Sequence, residues 1–64
     1  MKKLIYTVVG VSFQGLKNVL VYDENENTVV RFASTKVTRN TVKRFVENTK
    51  PNYKYTLSKS PFSL

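Results

Sequence analysis

The feature that most constrains this chain is a change of hydrophobic period, from two to about 3.6 and back to two. Apolar residues alternate through 3–13, where Leu4, Tyr6 and Val8 share one side and Ile5, Val9, Val11 and Phe13 the other, with Thr7 between them. They alternate again over 16–23, with Leu16, Leu20 and Tyr22 opposed to Val19 and Val21, and over 28–33. Strands with β-branched side chains fit this pattern. Gln14-Gly15 supplies one turn, and the polar run Asp23 to Asn27 supplies a loop of hairpin length. These segments predict a meander of three antiparallel strands.

Val42, Phe45, Val46 and Thr49 then recur at i, i+3, i+4 and i+7, the spacing of one helix face. Thr38, or Ser34 if an extra turn precedes it, suits the N-cap. Pro51 ends the helix, because the residue before a proline avoids the αR region. Alternation returns with Tyr53, Tyr55 and Leu57, which predicts a fourth strand over 52–58. The expected architecture is α+β: a small antiparallel sheet of three to four strands in the order β-β-β-α-β, with one helix packed on one face. It forms a single domain over 1–64, with an ordered core at about 3–58 and a tail at 59–64.

A chain of 64 residues holds one small core, and without cysteine it has no disulfide staple. Lacking histidine too, it offers no imidazole base, no thiol nucleophile and no ordinary zinc set. Its four acids are Asp23, Glu24, Glu26 and Glu47. Three crowd one turn, which lacks the glycine and distal glutamate of a calcium loop and reads as solvated. Opposed carboxylates for acid–base catalysis are missing. We therefore expect a binding protein and not an enzyme, with no catalytic residue, metal or cofactor. The basic, apolar N-terminus reads as a first strand, not a signal peptide, because Ser12, Gln14, Lys17 and Asn18 interrupt it without a cleavage site. No run is long enough to cross a membrane.

The charge of +7 favours an anionic partner. Arg39, Lys43, Arg44 and Lys50 form a basic helix ridge that could follow a phosphate backbone, and Tyr53 and Tyr55 could stack on bases. A charged outer helix face that is merely solvated, and tyrosines that merely pack a strand, are the competing readings. One helix covers one sheet face only, so the apolar residues on both sides of the first strand predict a second face available to a partner. Phe32, at the end of the third strand, is either core or an interface anchor.

The segment Val37-x-Arg39-x-x-Val42-Lys43-x-Phe45-Val46-Glu47-Asn48 resembles the helix of the Dmd family of antitoxins from T-even-type phages. There the pattern is Val, a basic residue, then Val-Lys-x-Phe-Ile and two acids. Phe32-Ala33-Ser34-Thr35 is similar to the aromatic-Ala-Thr-Thr that ends the strand before that helix, and Gly10 and Phe13 have counterparts in the first strand. The resemblance spans about residues 4–57, and only the helix aligns without gaps. Arg44, Asn48 and the basic balance depart from the pattern. The resemblance implies an inhibitor of a bacterial RNase toxin, acting in the host cytoplasm and protecting phage messages by excluding RNA. The implied contacts are Phe32 and a polar residue at the helix start, Thr38 or Asn40, with Arg39 and Lys43 beside them. The rival readings are a small nucleic-acid-binding regulator and a structural subunit completed by oligomerisation. As an inhibitor the chain is expected to be a monomer or weak dimer.

Overall fold

A computed structural model describes residues 1–62. It contains β1 (Lys2–Val11), β2 (Lys17–Asp23), β3 (Thr28–Ser34), α1 (Arg39–Thr49) and β4 (Tyr55–Lys59). This is the β-β-β-α-β order read from the sequence. The strands form one sheet in the order β3-β2-β1-β4. The β1-β2-β3 meander is antiparallel, as expected. β4 lies parallel to β1, pairing Lys2 with Tyr55 and Leu4 with Leu57, so the sheet is mixed and not wholly antiparallel. The reason is the crossover: α1 carries the chain from the β3 edge to the β4 edge, and the chain re-enters in the direction of β1.

Alternation sorts the side chains into two faces. Leu4, Tyr6, Val8, Val19, Val21 and Leu57 turn toward α1 and are buried with Val42 and Val46 from its inner stripe. The helix starts where Thr38 accepts a hydrogen bond from the Thr41 amide at 3.3 Å. That bond satisfies an otherwise orphaned donor of the first turn. The helix ends at Lys50, whose amide reaches the Val46 carbonyl, and Pro51 and left-handed Asn52 then turn the chain.

Phe32 of β3 stacks on Phe45 of α1, with ring centroids 4.1 Å apart and planes 5° from parallel. At the opposite edge the Tyr55 hydroxyl donates to the Lys43 carbonyl at 3.4 Å. The helix is thus pinned to both edges of the sheet.

Two expectations change. The register of β1 slips at Val9, between the Val8–Val19 and Gly10–Asn18 pairs. This bulge resets the alternation. Val11 therefore pairs with Lys17, on the helix side of the sheet but beyond the core, and Phe13 projects from the turn; neither extends the face of Ile5. The C-terminal segment is also held further than the strand at 52–58 implied. Lys59 belongs to β4, and the Ser60 amide donates to the Tyr6 carbonyl at 2.9 Å. Ser60 is buried and its hydroxyl accepts from the Phe62 amide, whereas the last two positions of the expected tail, 63 and 64, lie outside the described residues.

Leu4 is 1% exposed and packs between the meander and β4. Leu4→Ala should cost about 2–5 kcal/mol, much of the stability of so small a domain. Leu20→Ala, on the uncovered face, should cost under about 1 kcal/mol. Urea unfolding followed by circular dichroism measures both.

Candidate functional site

The sheet face turned away from α1 is assembled by strand register. Ile5 lies opposite Tyr22, and Thr7 opposite Leu20, which in turn lies opposite Arg31. Ile5, Thr7, Leu20 and Tyr22 are each half-buried, and none belongs to the buried core. Among the described residues no secondary-structure element covers this side. Arg31, on the edge strand β3, brings a cation to the rim of this face beside Leu20, and Lys3, which alternates with the buried Leu4, lies on the same side.

The β2–β3 loop borders one end of this face. Asp23 organises the loop: one carboxylate oxygen accepts from the amides of Asn25 and Asn27, both at 2.9 Å, and the other from the Asn27 side chain at 3.5 Å. These bonds, that of the Asn27 amide foremost, hold the Asp23 carboxyl below its ordinary value, helped by the charge of Lys2 and opposed by partial desolvation. The loop brings Glu26 beside Leu20 and Tyr22, and the three line one shallow hollow. Glu26 has φ 65°, the left-handed region, where asparagine or glycine would be less strained. An acid thus sits at the rim of the apolar patch in a backbone conformation that the loop alone does not favour it for.

The candidates read from the sequence occupy the other side of the molecule. Phe32 faces the helix, and one side of its ring is taken by Phe45. Thr38 is the N-cap, and its hydroxyl also meets that of Thr41 at 3.1 Å. Arg39, Asn40, Lys43, Arg44 and Lys50 are exposed. They do not form one patch with Phe32. Phe45 flanks α1 on the β3 side, whereas Arg39, Lys43 and Glu47 flank it toward β4. Tyr55 accordingly contacts the Lys43 carbonyl and feels both the Glu47 and Arg39 charges.

The tyrosines are also divided. Tyr6 is buried, Tyr53 and Tyr55 pack on the helix side against the core with ring centroids 6.0 Å apart, and Tyr22 alone of the four belongs to the open face. Burial raises the Tyr55 hydroxyl, and Glu47 adds to the shift against the opposing pull of Arg39.

The alternation of β2 marked Leu20 and Tyr22 as neighbours, but Val19 and Val21 on the other face are equally apolar. Nothing in the local pattern said which face α1 would take. Glu26 joins them only through the geometry of the loop.

Among the described residues no cluster of acids could hold a metal ion, and no helix is long and apolar enough to cross a membrane. No family model, no curated protein and no solved structure matches the chain.

Two titrations follow from these environments. The folded Asp23 carboxyl lies below 3.8, so its contribution to loop order is present above that pH and disappears as pH falls through the lower folded value. Carboxyl-detected NMR should show Asp23 titrating below the ordinary aspartate value of 3.8, and Asp23→Asn should remove the associated loss of Asn25 and Asn27 amide order. At the alkaline end, the unfolded Tyr55 ionises near 10.0 and the folded one later. Stability linked to Tyr55 is therefore full below pH 10.0 and falls as pH rises toward the folded value. Urea unfolding across that range should show a shallower alkaline decline for Tyr55→Phe.

Proposed function

We propose that this chain is a non-catalytic inhibitor of the antitoxin type, which docks on a bacterial RNase toxin and keeps RNA from it by occupying the approach to its active site. The observation that carries this reading is the uncovered sheet face. Ile5, Leu20 and Tyr22 form an apolar and aromatic patch whose rim carries Glu26. Apolar anchors surrounded by polar groups are the usual composition of a protein-binding hot spot.

The charge distribution supports the same partner. An RNase attracts RNA with a basic cleft, and a chain of +7 is repelled from such a cleft unless its cations point elsewhere. Here Arg39, Lys43 and Arg44 lie on α1 and Lys50 caps it, behind the sheet, and the open face itself keeps only Arg31, at its β3 edge, and Lys3, beside β4. Asp23, Glu24 and Glu26 stand together at one end of it, with Glu26 on the rim of the patch. Docking by the open face therefore presents the acids to the toxin and keeps the helix cations away from it. The helix motif that resembles the phage antitoxins supports the choice of toxin class, and action in the host cytoplasm goes with it. Inhibition by exclusion asks no bond-making of this chain.

The anchor differs from the one that resemblance implied. Phe32→Ala would remove the Phe45 stack and weaken the fold as well as any contact, so it is a poor probe. Leu20→Asp, Tyr22→Ala and Glu26→Asn act on the patch itself, and asparagine suits the left-handed backbone at position 26.

The tagged chain, incubated with nuclease-treated bacterial lysate, should recover one stoichiometric protein that resists moderate salt and whose RNase activity falls on binding. Leu20→Asp or Tyr22→Ala should weaken that complex by at least about thirtyfold, equivalent to ~2 kcal/mol, and Lys50→Glu should leave it intact. Capture that disappears with nuclease, or that is indifferent to both patch variants, would sink this reading.

A further inference from the structure

Behind the sheet, the fold gathers cations that the sequence scatters. At 100° per residue, Arg39, Lys43 and Lys50 fall within about 40° of one another around α1. They do not crown the helix, whose most outward positions, opposite Val42 and Val46, are Asn40, Arg44 and Asn48. They line its β4 flank, beside Tyr55. The parallel pairing then brings in residues from the far end of the chain. Lys2 lies opposite Tyr55, and its amide donates to the Lys54 carbonyl at 3.2 Å. Leu4 and Leu57, two residues further along the paired strands, are both buried beneath α1, so alternation places the Lys2 side chain on the helix side as well. Lys2, Lys54, Asn52 and Tyr53 line one broad, shallow hollow together with Glu24. Tyr53 is half-buried there, packed on the core along one side, with the Lys50 ammonium 5.8 Å from its ring centroid.

We propose that this seam between α1 and β4 binds single-stranded nucleic acid, an activity separate from docking by the open face. Arg39, Lys43, Lys50, Lys54 and Lys2 supply phosphate contacts along the seam. The exposed part of the Tyr53 ring supplies a stacking surface for a base beside the lysines. Rows of cations with an adjacent aromatic are how sequence-tolerant single-strand sites are built. The duplex alternative fits less well. A helix that reads a major groove presents its outward face, and here that face carries a single cation, Arg44, between Asn40 and Asn48. The seam is also shallow and one-sided, which suits a flexible strand whose bases are free to turn inward. An acidic protein surface would satisfy the lysines but would leave Tyr53 without a role.

The test is fluorescence anisotropy with a labelled oligothymidylate of about ten nucleotides. Wild-type protein should bind with a Kd of about 10⁻⁶–10⁻⁴ M at physiological salt. Five phosphate contacts on a single strand predict a log–log salt slope of about −3.5. The double variant Lys50→Glu with Lys54→Glu should weaken binding at least about tenfold and bring the slope to about −2, because two contacts are lost. Glu47→Gln should tighten binding by removing a carboxylate from beside the seam.

Tyr53→Leu should weaken binding about fivefold or more, and Tyr53→Phe should restore it. Circular dichroism verifies that each variant is folded; should Tyr53→Leu fail that check, the lysine variants and the competition below decide the matter. Dextran sulfate or polyglutamate, matched in charge, should compete poorly, and a duplex of equal phosphate concentration should bind more weakly. Equal competition by the base-free polyanions would show a generic cation surface and overturn the proposal, as would equal binding of duplex. Leu20→Asp should leave oligonucleotide binding unchanged, which keeps this outcome distinct from that of the docking experiment.

Discussion

The fold depends on one crossover. β3 and β4 are the two edges of the sheet, yet they are consecutive strands, so the chain between them must cross the whole sheet. With strands about 4.8 Å apart, the edges are separated by ~14 Å. The eleven residues of α1 reach ~16 Å at the helical rise. One helix of this length bridges the gap, and in doing so it must lie against the sheet. Its apolar stripe of Val42 and Val46 therefore meets Leu4, Val19 and Val21 and closes the core. The stacked Phe32–Phe45 pair and the Tyr55–Lys43 hydrogen bond hold it at either side. With no cysteine to form a disulfide, this clamp is what a 64-residue chain has available.

The same crossover divides the surface into two territories. The covered side receives the helix and its cations, together with Lys2 and Lys54, which the parallel β1–β4 pairing brings alongside. The uncovered side keeps the Ile5–Tyr22 pair, with the acidic loop at its end. The high net charge is thus not spread evenly around the molecule. A protein partner on one side and a nucleic-acid strand on the other are compatible because the apolar anchors of one surface and the cations of the other are different side chains, and only Glu24 of the loop borders both.

Glu26 shows how local cost and placement combine. A glutamate with φ 65° is strained by roughly 1–2 kcal/mol relative to a conformation it prefers, and the Asp23 carboxylate that nucleates the loop offsets part of this. The loop would close as well with asparagine at that position. What glutamate adds is a charge beside Leu20 and Tyr22.

Much of the architecture was legible in the sequence, because it is written in local periodicity. The β-β-β-α-β order, the hairpin turns, the Thr38 cap and the stop at Pro51 each follow from a few neighbouring residues and their backbone preferences. The tertiary structure alone decided which face of the meander is core, since Val19 and Val21 alternate with the equally apolar Leu20 and Tyr22. Period-two alternation separates two faces but cannot say which one a helix will cover. It alone placed β4 parallel to β1, because strand direction follows from the path of the crossover and not from the strand's own residues. The Val9 bulge, which ended the apolar row expected through Val11 and Phe13, is likewise a property of two strands in register. The site residues divide in the same way. The cations of α1 were visible as a ridge from helical geometry, whereas their union with Lys2, Lys54 and Tyr53, and that of Glu26 with Leu20, exist only once distant segments have been brought together by packing.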